Sequence, residues 1–281
     1  MTVDLHTLIL PAFNDLEGLP GEMEPWQETY EFDHRLTIEG VPSPLRYTDR
    51  GLGIVPTGVG KIAATATTTA LCASNDLDLD DTRILSVGVA GGPPDLPIGS
   101  VVLADCIVDW DDKCRFDSAE GVPLSLNPYT EGAGVFDLND DVVESAEAAA
   151  GGVELVARDS SETPTGQSDV VPKITTGTNL CGDELWHGGA LAEQATWLVE
   201  VHGRGPYRVT EMEDAGTAGA LQRFGRLDQY LSVRGISNHD RPTEGVSAEK
   251  NFFDPTFEGG FRLGIENAVR VAKAVVETEL P

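Results

Sequence analysis

Four short segments carry residue types able to do chemistry. The run Thr210-Glu211-Met212-Glu213-Asp214-Ala215-Gly216 sets three carboxylates and a methionine where an apolar strand pattern hands over to a helical one. Acidic residues in a first helical turn are favoured by the helix dipole, so capping explains one or two of them. It does not explain the interposed Met212. Further on, Leu231-Ser232-Val233-Arg234-Gly235-Ile236 reads as a strand running into Ser237-Asn238-His239-Asp240, polar residues able to grip a small molecule or simply to form a turn. Ser86-Val87-Gly88-Val89-Ala90-Gly91-Gly92 is a buried-strand pattern ending in small residues, which admit a ligand to the main chain; a plain strand-terminating loop has the same form. Pro56-Thr57-Gly58-Val59-Gly60-Lys61 turns tightly into an Ala/Thr-rich helix. It lacks the GxxxxGK[ST] spacing of a triphosphate loop, and close strand-to-helix packing accounts for it as well.

The elements that must position these segments follow from periodicity. Apolar, β-branched runs predict strands at Leu8–Leu10, Gly53–Val55, Ile84–Val89, Ser100–Val108, Val171–Thr175, Tyr207–Val209 and Tyr230–Ile236. Helix-compatible stretches lie between them at Lys61–Ala73, from Asn139 through Ala150, at Gly182–Val199, at Asp214–Phe224 and from about Phe257 to Thr278. Such alternation predicts an α/β fold, a single three-layer domain over residues 1–281 with a central mixed sheet flanked by helices. Asp117–Glu131 and Ala157–Asp169 are polar and turn-rich, excursions from that one domain. In such sheets ligands collect where strand ends meet Gly-rich turns and helix N-termini.

Composition narrows the function. Lys+Arg number 19 against 47 Asp+Glu, a formal net charge of −28, and only five of the cations are Lys. A surface of that sign repels polyphosphate, so nucleic-acid binding through a basic face is excluded as an expectation. Acidic excess spread along the whole chain, with few Lys, suggests a surface adapted to high salt, where screening relieves self-repulsion. No run reaches the roughly 18 to 20 apolar residues of a membrane helix, and the start MTVDLHTLIL lacks a basic region, so the expected location is a cytoplasm, without membrane insertion. The four cysteines show no CxxC spacing and the five histidines are dispersed. No metal or cofactor is expected, and the thiols read as reduced and buried.

Taken in order, TGVGKIAA, VGVAGG, TNLCGDELW, EMEDAG and VRGISN resemble the successive motifs of the nucleoside phosphorylase and nucleosidase superfamily over most of the chain. More narrowly, GEMEPW at Gly21–Trp26, Ile107-Val108-Asp109-Trp110-Asp111, Trp186-His187-Gly188 and EMEDAGTAGAL followed by SNHDRP resemble the purine nucleoside permeases. The family name implies transport, yet this sequence offers no span, so any such role would be indirect. The resemblance implies the nucleoside phosphorylase fold, a homo-oligomer, a purine nucleoside as ligand, and cleavage of its N-glycosidic bond.

On that resemblance Met212 packs on the sugar and Glu213 accepts from its 2′ and 3′ hydroxyls, while Gly58, Gly88, Ala90 and Gly91 border the substrate. Capping remains the alternative for Glu213. Asn238 stands where the family often has a base-recognising Asp. An amide can donate to purine N7 but supplies no proton, which favours 6-oxopurines, with Asp240 as a candidate proton source or a surface turn. The family's stacking Phe corresponds to Leu185, so Trp186 takes that role or sits in the core. Phosphorylases of the superfamily hold phosphate with arginines in two Gly-rich loops. The first 34 residues here contain no Arg, and Ser86 or Val87 stands at the second place. Hydrolysis is therefore expected, with Glu22 as base for water and Glu24 as the alternative carboxylate. Phosphorolysis stays open through Arg46 or Arg50 reaching across a subunit interface, as does a non-catalytic nucleoside-binding role in uptake.

Overall fold

Strands covered on both faces read as continuous apolar runs rather than alternating ones, and Thr7–Leu10 and most of Arg83–Gly92 are buried accordingly. The computed structural model describes residues 2–15, 20–116, 124–130, 132–157, 171–242, 247 and 256–280, with the side chains of 256–259 excepted. In chain order the strands are β1 (Val3–Asp4), β2 (Thr7–Leu10), β3 (His34–Leu36), β4 (Leu45–Tyr47), β5 (Leu52–Ile54), β6 (Leu77–Asp78), β7 (Arg83–Gly92), β8 (Val101–Asp109), β9 (Lys113–Arg115), β10 (Leu124–Leu126), β11 (Val135–Asp137), β12 (Ile174–Cys181), β13 (Tyr207–Glu211) and β14 (Tyr230–His239). The α-helices are α1 (Glu24–Gln27), α2 (Lys61–Ala73), α3 (Asp140–Ala150), α4 (Gly189–Val201), α5 (Asp214–Arg223) and α6 (Thr256–Glu279). The predicted excursions lie largely outside the described residues, at 117–123, 131 and 158–169.

A ten-stranded mixed sheet runs β11-β8-β12-β13-β7-β2-β5-β4-β3, and β14 joins it by pairing with both β7 and β8. The sheet therefore closes on itself through β7, β13, β12, β8 and β14. Five pairs are parallel, β14 along β7, β2 along both β5 and β7, and β12 along both β8 and β13, and five are antiparallel, among them β14 with β8. Helix α2 packs on α5. Helix α6 packs on β7, β14 and α3, and α4 lies against β12 and β13. Gly235 of β14 and Gly264 of α6 bring helix and strand backbones together, since a Cβ on Gly235 would collide with the Gly264 carbonyl. One large apolar cluster joins β2, β5, β7, β14 and α6, and a smaller one lies under α4 around Trp110, Leu180 and Tyr207.

Several strands outlast the apolar runs that announced them. β7 continues through Gly92 and β14 through His239, so the small and polar residues thought to end these strands stay paired, Asn238 with Gly91 and His239 with Gly92. A bulge between Ile236 and Asn238 re-aims the strand there. β12 starts at Ile174 and extends to Cys181, and α4 begins only at Gly189, not at Gly182. Gly182 lies against Trp110, with no room for a Cβ, and residues 183–188 form a loop before the helix.

Candidate active site

The ends of β7, β13 and β14 meet around a cavity of about 340 Å³, the place where an α/β sheet collects ligands. Among its lining residues are Glu22, Ala90, Gly91, Trp186, Met212, Glu213, Asn238 and Asp240, drawn from five separate stretches of chain. Sequence reasoning placed each of these in the site. Phe13 and Phe261, whose rings stack 6.1 Å apart, also line it and carried no recognisable signal.

The three carboxylates at the β13–α5 junction have three different tasks. Glu211 caps the helix, its Oε2 accepting from the amides of Glu213 (2.7 Å) and Asp214 (2.9 Å). Asp214 turns away from the pocket. Its oxygens accept from Asn179 Nδ2 (2.7 Å), Tyr230 OH (2.8 Å), Ser232 Oγ and Arg234. Glu213 faces the pocket, with Oε1 accepting from the Gly60 amide at 2.9 Å and Oε2 3.6 Å from Arg234 Nη1. Gly60 has φ +91° and a Cβ there would meet Asp183 Oδ1, so the turn requires glycine to offer that amide.

Burial pushes Glu213 above the usual carboxylate range, against the pull of Arg234 and the Gly60 amide. Glu211 is raised too, by burial and then by the Asp214 charge. Burial also disfavours the Asp214 anion, but Arg234 and the surrounding donors outweigh it and hold Asp214 below its ordinary value.

Glu22 is buried, with Oε2 accepting from the Ala12 amide (2.7 Å) and Oε1 from the Val89 amide (2.9 Å). Burial raises its pKa despite these donors and Arg234. Glu24 belongs to the lining of a different groove, beside α6, so of the two carboxylates Glu22 is the one in the pocket. Gly88 does not line the cavity. A Cβ on it would collide with Glu22 Oε1 and come within 2.9 Å of Arg234 Nη1, so its role is to leave room for these two groups. Gly58 is likewise outside the lining; its amide donates to the Ala12 carbonyl at 2.9 Å and ties the α2 turn to the strand-end segment before Glu22.

At the other end, Asn238 lies beside Gly91, with Nδ2 donating to the His239 carbonyl at 3.2 Å. Ser237 Oγ stands 2.8 Å from Asn238 Oδ1 and 3.1 Å from the Ala90 carbonyl, and its one proton serves one of them at a time. Trp186 lines the pocket and stacks on Trp110 at 5.6 Å. Asp240 differs from the expectation of a proton source. Its Oδ2 accepts from Tyr207 OH at 2.7 Å and its Oδ1 pairs with Arg241 Nε at 2.7 Å, so it holds the end of the pocket as an ion-paired acceptor. Arg46 sits on β4 opposite Arg35 and Ile54, and neither it nor Arg50 lines the cavity.

Arg234 is the functional residue that the motifs did not single out. Its sequence signal was an arginine inside an otherwise small and apolar strand. Among the described residues no group of His, Cys, Asp and Glu is placed to hold a metal, and no helix is long and apolar enough to cross a membrane.

Comparison with known proteins agrees with this architecture. The sequence profile of the purine nucleoside permease (NUP) family matches residues 4–280. A purine nucleoside permease of Candida albicans is 26% identical over 293 residues, covering 91% of this chain and 71% of that protein. A probable purine nucleoside permease of Schizosaccharomyces pombe is 25% identical over 242 residues, with 71% and 68% covered. Among solved structures, a 5′-methylthioadenosine/S-adenosylhomocysteine nucleosidase of Helicobacter pylori superposes with a TM-score of 0.68 at 20% identity, over 99% of this chain and 100% of that one. Futalosine hydrolase of the same organism gives 0.67 at 20% identity, over 97% of each. The chain thus shares the fold of these nucleosidases, and it belongs to the purine nucleoside permease family.

Proposed function

We propose that this chain cleaves the N-glycosidic bond of purine nucleosides with water as the nucleophile. The observation that carries the reading is the meeting of Glu22, Met212 and Glu213 at one cavity that also presents Asn238 and Trp186. Cleavage passes through an oxocarbenium-like sugar, so the site must hold the ribose, place the nucleophile and accept the leaving base. Glu213 accepts from the ribose hydroxyls while Met212 packs on the sugar. Glu22, its pKa raised by burial, takes a proton from water as the water oxygen bonds to the anomeric carbon and the C–N electron pair departs onto the purine. Trp186 stacks on the base and Asn238 donates to N7. With an amide in that place, 6-oxopurine nucleosides are the preferred substrates.

Two features support water over phosphate. The first amides of α2, a natural anion site, are already taken by Glu213 at Gly60 and by Asp183 Oδ1 at Lys61 (2.7 Å). The cation Arg234 is shared among Glu211, Glu213 and Asp214. Arg46 or Arg50 would contribute only from a second copy of the chain.

Incubation with inosine, guanosine, adenosine and uridine, with and without phosphate in high salt, tests this. Free ribose should form from inosine without phosphate, and phosphate should raise the rate no more than about twofold. Ribose 1-phosphate formed in strict dependence on phosphate would overturn the water reading. The names of the relatives favour a second reading, a nucleoside-binding protein serving uptake. In that case wild-type protein binds inosine without releasing product, whereas for an enzyme Glu22→Gln keeps binding and loses turnover.

A further inference from the structure

Around Arg234 the charges do not balance one to one. Its guanidinium, 1% exposed, is met by Glu211 Oε2 at 3.0 Å, Glu213 Oε2 at 3.6 Å and the Asp214 carboxylate, with Glu22 adjoining beside Gly88. A single buried cation cannot neutralise four carboxylates, so which of them holds it decides what the others do. Asp214 grips it side-on, through Nε at 3.2 Å and through Nη2. Nη2 also donates to Ser86 Oγ at 2.7 Å. Asn179, Tyr230 and Ser232 complete the shell of Asp214, which is wholly buried and outside the cavity lining. What remains for the pocket is Nη1, 3.6 Å from Glu213 Oε2 and on the side of Gly88 where Glu22 Oε1 also lies.

We propose that Asp214 is a positioning residue: by clamping the Nε and Nη2 edge of Arg234 it presents Nη1 to the pocket carboxylate Glu213, on the side of Gly88 where Glu22 also lies. The inference rests on the nucleoside-cleaving reading of the pocket and adds to it the residue that aims its buried cation. A forked, planar group needs such a clamp, because a guanidinium free to turn would have nothing to keep Nη1 aimed at the pocket.

The test uses Asp214→Asn, Arg234→Lys and the double variant in the full chain, each checked for folding by circular dichroism. Inosine cleavage and the pH dependence of inosine binding, followed by tryptophan fluorescence, are the readouts. Glu213 faces Arg234, Asp214, Glu211 and Glu22, so removing the Asp214 charge frees the guanidinium for it. Asp214→Asn should lower kcat/KM by about tenfold or more and move the binding midpoint to lower pH, which a merely structural residue would not do. Arg234→Lys keeps the charge but not the fork and should lose a similar factor. The double variant should fall no more than about threefold below the worse single one, because the two act as a unit.

Near wild-type rate and an unmoved midpoint in Asp214→Asn, or losses that multiply in the double variant, would overturn the proposal. If Asp214→Asn fails to fold, a wild-type rate in Arg234→Lys would overturn it alone. A wild-type chain that binds inosine without cleaving it would instead refute the enzymatic reading, and the binding midpoints would still decide the role of Asp214. Absence of binding would refute both.

Discussion

Two cations flank the start of α2, each bridged by carboxylates, and they show how burial changes what an ion pair does. Lys61 Nζ lies 2.6 Å from both Asp109 and Asp111, with side chains 16%, 25% and 50% exposed. Arg234 lies among Glu211, Glu213 and Asp214 with its side chain 2% exposed. Water reaches the first cluster, and its worth is the tethering of a helix end to β8 and the turn after it. The second is dry, and the ionisation of each member depends on the rest. The outer cluster is built to hold, whereas in the inner one a change at any member is felt by the others.

The comparison breaks most sharply at Glu213. Glu213→Gln should lower kcat/KM for inosine by about two orders of magnitude or more, because a charge-assisted bond to the ribose hydroxyls tightens as the sugar becomes cationic. Steady-state rates near wild type would mean that the inner cluster is no more functional than the outer one.

Ionisation sharpens the contrast next. Burial holds Glu22, Glu211 and Glu213 above the ordinary glutamate range, so the folded state favours their protonated forms. Their contribution to stability is complete below the unfolded glutamate pKa and is lost as pH rises through the raised folded values. Asp214, held low, works in the opposite sense and loses its contribution only as pH falls below the ordinary aspartate range. From neutrality down toward the glutamate range, Tm should therefore rise while kcat/KM falls about tenfold per pH unit as Glu213 protonates. Calorimetry and initial rates in the same buffers check the two opposite slopes; parallel slopes would contradict the assignment.

At the base end the effect is smaller. Asn238→Asp should shift the adenosine-to-inosine rate ratio upward by about fivefold, since a protonatable carboxyl serves N7 of a 6-aminopurine. A ratio that does not change would place Asn238 off the base. Smallest of all, Lys61→Met should cost about 0.5 kcal/mol by denaturant titration and leave kcat within about twofold. A loss as large as that of Glu213→Gln would erase the distinction between the two clusters.

The sequence made the pocket residues on local motifs legible, because Met212–Glu213, Ala90–Gly91 and Asn238 each sit at the end of a recognisable strand. It hid what depends on distant chain segments meeting. Phe261 lies in a helix whose apolar positions look alike, and only packing against Phe13 makes it a wall of the cavity. Gly88 looked like a place for substrate to touch the backbone; it proves to be room for Glu22 and Arg234, two side chains 212 positions apart in sequence. The strand ends depend on distant partners in the same way. Polarity marks Ser237–His239 as a turn, but pairing with Gly91 and Gly92 keeps those residues extended.

The position of Arg234 also bears on the order in which the protein is made. Glu22 leaves the ribosome early and Glu211, Glu213 and Asp214 much later, yet their shared counter-ion follows later still, on β14, the strand that also closes the sheet between β7 and β8. A nascent chain that has not reached this strand holds four carboxylates destined for burial and no cation to join them. Burying them early would be strongly unfavourable, so this region should stay open during synthesis and close only when β14 arrives, making docking of that strand the committing step of biogenesis.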